Sequence, residues 1–153
     1  MTFSDAQRPS TNPFLAPPPA SGRAPEATHL QAARQDKPWG FETLFADGSH
    51  GYVGKLITVT AGASLSLQLH NRKDETISVV SGELVFEAGP SAGVLERTTM
   101  IAGDTVHVPA GVVHRITAVT DVLLVEASTA DIGWQHDVVR LADDYGRAGT
   151  SGL

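Results

Sequence analysis

Gln68 and His70 stand two apart in the run covering residues 62–82, GASLSLQLHNRKDETISVVSG, and Glu75 follows five residues after His70. A second short run beginning at Gly103, GDTVHVPAGVVH, ends on His114. In an extended strand, residues i and i+2 point the same way, so Gln68 and His70 can reach one ion. Glu75 lies across the bend at residues 71–74, and the rigid turn Pro109-Ala110-Gly111 can aim His114 back at the first group. Two imidazoles, a carboxylate and an amide oxygen would hold one divalent cation and leave it open to water or substrate. The candidate metal ligands are therefore Gln68, His70, Glu75 and His114. Cysteine is absent, which excludes disulfides and thiolate ligands, so nitrogen and oxygen must hold the metal.

The elements that must position these groups read as short strands. Residues 52–60, YVGKLITVT, are rich in β-formers. Residues 64–70 alternate, with Leu65, Leu67 and Leu69 on one face and Ser64, Ser66, Gln68 and His70 on the other. The polar face suits a pocket. The leucine face needs a cover, either the segment near Trp39 or a second subunit, and a homodimer is the expectation. Further strands are expected over residues 76–80, 83–87, 95–101, 105–108, 115–119, 122–126 and 137–141, with a loop at 89–93 and a turn or short helix at 142–145. Many short strands at this spacing indicate an all-β sandwich or closed barrel.

The 153 residues suit one domain. Six of the nine prolines fall within residues 9–25, and residues 1–34 read as a disordered Pro/Ala-rich tail. The folded domain is placed at 35–147, with a frayed end at 148–153. The net charge of −6 argues against nucleic acid or an anionic membrane as a partner. No apolar run is long enough to span a bilayer, and the N-terminus lacks the pattern of a secretory signal, so a cytoplasmic location is expected.

The two runs resemble the two motifs of the cupin superfamily. The first, Gly, five residues, His-x-His, three or four residues, Glu, six residues, Gly, is matched from Gly62 through Gln68, His70 and Glu75 to Gly82, with Gln68 replacing the first histidine. The second is matched from Gly103 through Pro109, Gly111 and His114, with Ala118 in place of its terminal Asn. Within cupins the chain looks like the isomerase portion of the bifunctional mannose-6-phosphate isomerase/mannose-1-phosphate guanylyltransferases. Lys37-Pro38-Trp39-Gly40, Ser66 to His70, Val79 to Gly82, Pro109 to Arg115, and Asp137, Arg140, Tyr145, Gly146 and Arg147 carry that likeness. It departs at His70-Asn71-Arg72-Lys73-Asp74-Glu75-Thr76, where the family has a histidine-rich run.

The resemblance implies a jelly-roll barrel with one divalent metal, zinc first, with iron, manganese, nickel or cobalt as alternatives. It implies a metal-dependent aldose–ketose isomerase acting on a sugar phosphate. Candidates to hold the phosphate are Lys55, Arg72, Lys73, Arg115, Arg140 and Arg147. Asp74, His50 and His107 are weak candidates for the proton-transfer group. The alternatives are another metal-dependent enzyme on the same barrel (an Fe(II) dioxygenase, lyase or cyclase) and a non-catalytic sugar- or metabolite-binding module.

Overall fold

The structure, a computed structural model, describes residues 26–152. The proline-rich stretch of the expected tail lies outside the described residues. The first strand, β1, is Ala33–Lys37. It is followed by β2 (Gly40–Asp47), β3 (Tyr52–Val59), β4 (Leu67–His70), β5 (Glu75–Ser81) and β6 (Glu83–Ser91). Then come β7 (Val94–Ile101), β8 (Thr105–Val108), β9 (Val113–Ala118), β10 (Val122–Thr129), a single 3-10 turn at Trp134–His136 and β11 (Val138–Ala142). Among the described residues no helix is long and apolar enough to cross a membrane.

The strands form two antiparallel sheets. One runs β1-β2-β3-β10-β5-β8 and the other β11-β4-β9-β6-β7. The chain is an all-β jelly-roll barrel, as expected. Between the sheets, Ile57, Val59, Ile77, Val79, Leu84, Phe86, Ile116, Val122 and Leu124 pack into one apolar cluster. Alternation along each strand places these residues on its inner face. Gly82, the last residue of the first motif, has φ 89° between β5 and β6, and a Cβ there would run into the Asp121 carbonyl. Glycine is required on both counts.

Three expectations are corrected. The alternating strand at 64–70 is regular only over Leu67–His70. Leu65 packs on the core and borders the same cavity as Gln68 and His70, so the alternation breaks between Leu65 and Leu67. Leu67 is buried and Leu69 half-buried, with β11 paired alongside at Ala142 and Val139. No leucine face is left bare, so the reason given for a partner subunit falls away. The loop expected at 89–93 is mostly strand. A Cβ at Gly89 would run into the Val94 carbonyl, and the absence of a side chain lets β6 and β7 close into a hairpin over Ala92-Gly93. The β1–β2 hairpin was not expected as strands. Its outer member, ARQDK, is an exposed polar edge with no apolar period to read.

Candidate metal centre

Three of the four candidate ligands, His70, Glu75 and His114, meet at one end of the barrel, and Gln68 stands beside them. β4 and β9 are adjacent in the smaller sheet, and Gln68 pairs directly with His114. Glu75 opens β5 in the facing sheet. One ligand atom from each of His70, Glu75 and His114 lies within 4.8 Å of the others, and all three residues are buried. Gln68 borders the cavity that reaches His70 and the narrower recess that reaches Glu75 and His114, and its Oε1 accepts the Ser66 hydroxyl at 2.7 Å.

The donor set fits a metal. Both ring nitrogens of His70 are buried without a hydrogen-bond partner. Burial, then the nearby Lys73 ammonium, pushes its pKa down to about 4, which keeps the imidazole neutral and its lone pair available. His114 Nδ1–H donates to the Val112 carbonyl at 3.0 Å, so the lone pair of Nε2 faces Glu75 Oε1 at 2.9 Å. Two acceptors in contact need a cation or a proton between them. A histidine that donates one N–H to a backbone carbonyl is the usual second half of a metal–histidine bond. For Glu75, burial alone would raise the carboxyl pKa. With a proton in that place, the hydrogen bond to His114 and the Lys73 ammonium outweigh burial and hold the group well below the usual carboxylate range.

Lys73 is buried, as Lys55 and Arg140 are. It enters the barrel from the β4–β5 turn, 2.7 Å from Glu75 Oε2 and 2.9 Å from Glu126 Oε1. Burial opposes its charge, but Glu126 and Glu75 more than compensate and raise its pKa. Asp137 fixes this turn, its Oδ2 accepting the backbone N–H groups of Arg72 at 3.0 Å and Lys73 at 2.8 Å.

The remaining candidates separate. Lys55, Lys73 and Arg147 border the cavity, with Lys37, Trp39, Glu42, Glu126 and Trp134. Lys55 is buried and loosely held, 3.5 Å from Glu42 and 5.6 Å from the centre of the Trp134 ring. Arg147 is paired with Asp143 at 2.7 Å. Arg72, Arg115 and Arg140 do not border this cavity and are engaged by other groups, Arg115 lining the recess that reaches Glu75 and His114. Arg72 donates to the Ile132 carbonyl at 2.8 Å and Arg115 pairs with Glu87 at 2.8 Å. Arg140 holds the C-terminal segment by donating to Gly152 at 2.7 Å.

None of the three base candidates borders the cavity that reaches His70. Asp74 accepts the Ala110 N–H at 2.8 Å, His50 is exposed at the β2–β3 turn, and His107 faces outward against Thr76 at 3.2 Å. Glu126 was missed. Its signal was parity: Val122 and Leu124 set the inward face of β10, and Glu126 is next on it.

A double-sheet barrel with two histidines and a carboxylate at one end defines the class. The family model for the Cupin domain matches residues 55–127, so the chain carries a cupin domain. The xanthan biosynthesis protein XanB of Xanthomonas campestris is 32% identical over 130 residues, 84% of this chain and 26% of that protein. The mannose-1-phosphate guanylyltransferase of Escherichia coli is 29% identical over 131 residues, 84% of this chain and 25% of that protein. The chain thus spans about a quarter of the length of these curated relatives. Among solved structures, the capsular polysaccharide assembling protein CapF of Staphylococcus aureus superposes with a TM-score of 0.60 at 18% identity, covering 75% of this chain and 35% of that one.

Proposed function

We propose that this cupin is a metal-dependent enzyme acting on a phosphorylated sugar, an aldose–ketose isomerase of the mannose-6-phosphate type. The observation that carries the reading is the buried His70–Glu75–His114 set, of which His70 borders a cavity also lined by Lys37, Lys55 and Arg147. Gln68 is the proposed fourth ligand. When bound, a divalent ion would polarise two neighbouring sugar oxygens as a Lewis acid and stabilise the enediolate charge. Zinc is the first candidate.

Around that ion, the side chains of the chain divide the work. Lys73 supports Glu75, and Asp137 fixes the turn that carries Lys73. Lys55 has a single long contact to Glu42, so its ammonium is free to take a phosphate oxygen, with Lys37 and Arg147 beside it. The cavity has a volume of about 70 Å³, with Trp134 and Gln135 at its border. The relatives, named for polysaccharide biosynthesis and for a mannose 1-phosphate reaction, support a sugar-phosphate substrate.

The test is elemental analysis of the purified protein, then incubation of the metal-loaded chain with a panel of hexose phosphates. Conversion of mannose 6-phosphate to fructose 6-phosphate supports the reading. Bound metal with no turnover of any hexose phosphate, or turnover that consumes O₂, rejects it. Homodimerisation and a cytoplasmic location belong to the same proposal, to be checked by light scattering and by cell fractionation.

A further inference from the structure

Glu126 is a buried carboxylate that the metal reading leaves without a task. It stands on β10 opposite Lys55 of β3 and Ile77 of β5. Glu75 lies two residues from Ile77 on the same face, so the two carboxylates are diagonal neighbours on the inner wall of the larger sheet. Lys73 bridges them, 2.7 Å from Glu75 and 2.9 Å from Glu126. Glu126 borders both the cavity that reaches His70 and the recess that reaches Glu75 and His114. Among the described residues Lys73 is the hydrogen-bond donor to this carboxylate, through Oε1, and Oε2 has no protein partner. The other carboxylates bordering these two spaces are engaged: Glu75, on the recess, by His114 and Lys73, and Glu42, on the cavity, by Lys37 and Lys55.

We infer that Glu126 is the catalytic residue that carries the proton between the two reacting carbons, an assignment that rests on the isomerase reading. In the forward direction a Glu126 oxygen takes the proton from C2 of the open-chain aldose. The C–H electron pair becomes the C1–C2 π bond, and the carbonyl pair of C1 moves onto O1. Glu126 then returns its proton to C1, the proton of O2 passes to O1, and a carbonyl forms at C2. Atoms and electrons balance without an oxidant or co-reactant.

The experiment compares the full-length wild type with Glu126→Gln and Glu126→Asp, each loaded with the same metal. Bound metal per chain, thermal midpoint, turnover of mannose 6-phosphate and wash-in of deuterium from D₂O are measured for all three. Glu126→Gln should keep the wild-type metal content, lose about 10²–10⁴-fold in turnover, and incorporate no deuterium. Turnover within about tenfold of wild type overturns the assignment. So does loss of the metal together with activity, which would make Glu126 a support for the ligands. If the amide variant does not fold, Glu126→Asp decides. Metal content unchanged with turnover down at least about tenfold supports the role, and unchanged turnover sinks it. An inactive wild type defeats the isomerase reading and this inference with it, whereas an active wild type with an active Glu126→Gln defeats this inference alone.

Discussion

The two halves of the barrel interior are built from the same strands and do opposite things. β5 presents Ile77 and Val79 to one half and Glu75 to the other. β10 presents Val122 and Leu124, then Glu126 and Ser128, while β3 offers Ile57 and Val59 against Lys55. β9 gives Ile116 and Ala118 against His114. One half is a closed apolar cluster. The other gathers His70, Lys73, Glu75, His114 and Glu126, all buried. Buried charges are unfavourable unless paired, and here nearly every one meets an opposite charge. The exception is His70, whose ring nitrogens have no hydrogen-bond partner, Nε2 standing 3.6 Å from Glu75 Oε2. The apolar half supplies the stability that lets the ionisable half hold an incompletely satisfied set of groups.

The comparison breaks most visibly in the apolar half. Leu124 is fully buried, and Leu124→Ala should cost about 2–5 kcal/mol in urea unfolding while leaving metal affinity unchanged. A large change in affinity would mean the halves are not separable. In the ionisable half the pattern reverses. His70→Ala should weaken zinc binding by at least about 100-fold in competition titration, yet leave the unfolding free energy of the chelated protein within about 1 kcal/mol.

A third prediction uses pH. The folded His70 pKa of about 4 lies below its ordinary 6.5, so protonation favours the unfolded chain. The stabilisation is present above about pH 6.5 and is lost as the pH falls toward 4, with a slope of up to about 1.4 kcal/mol per pH unit. Chelated wild type should show this decline in unfolding titrations, and His70→Ala should flatten it. The smallest effect is expected at Asp137→Asn. Weakening the acceptor for the Arg72 and Lys73 N–H groups should lower stability by about 1 kcal/mol and zinc affinity by about tenfold. An unchanged affinity would show that the turn holds Glu75 in place without Asp137.

Much of the site could be read in advance because its residues carry their own spacing. Gln68-Leu69-His70 is a same-face pair in any strand, and the glycines at 62, 82, 103 and 111 mark the turns around it. What could not be read was the destination of the cations. Lys55 and Lys73 carry the same local signature as Arg72 or Arg115, yet two enter the cavity and two do not. Lys73 is met by Glu126, from a strand distant in the chain, and Lys55 by Glu42 across the β2–β3 hairpin, whereas Arg115 is held by Glu87. The β1–β2 hairpin was hidden for a different reason, because an exposed edge strand needs no apolar alternation.

The amino-acid order alone determined an all-β barrel and a same-face set of nitrogen and oxygen ligands, since turn chemistry and two-residue alternation are local properties. Only the tertiary structure decided which ionisable groups share the interior. Packing two sheets face to face sets Lys73 between Glu75 and Glu126 and leaves the His70 ring without a hydrogen-bond partner, and pairings of that kind depend on strands distant in the chain.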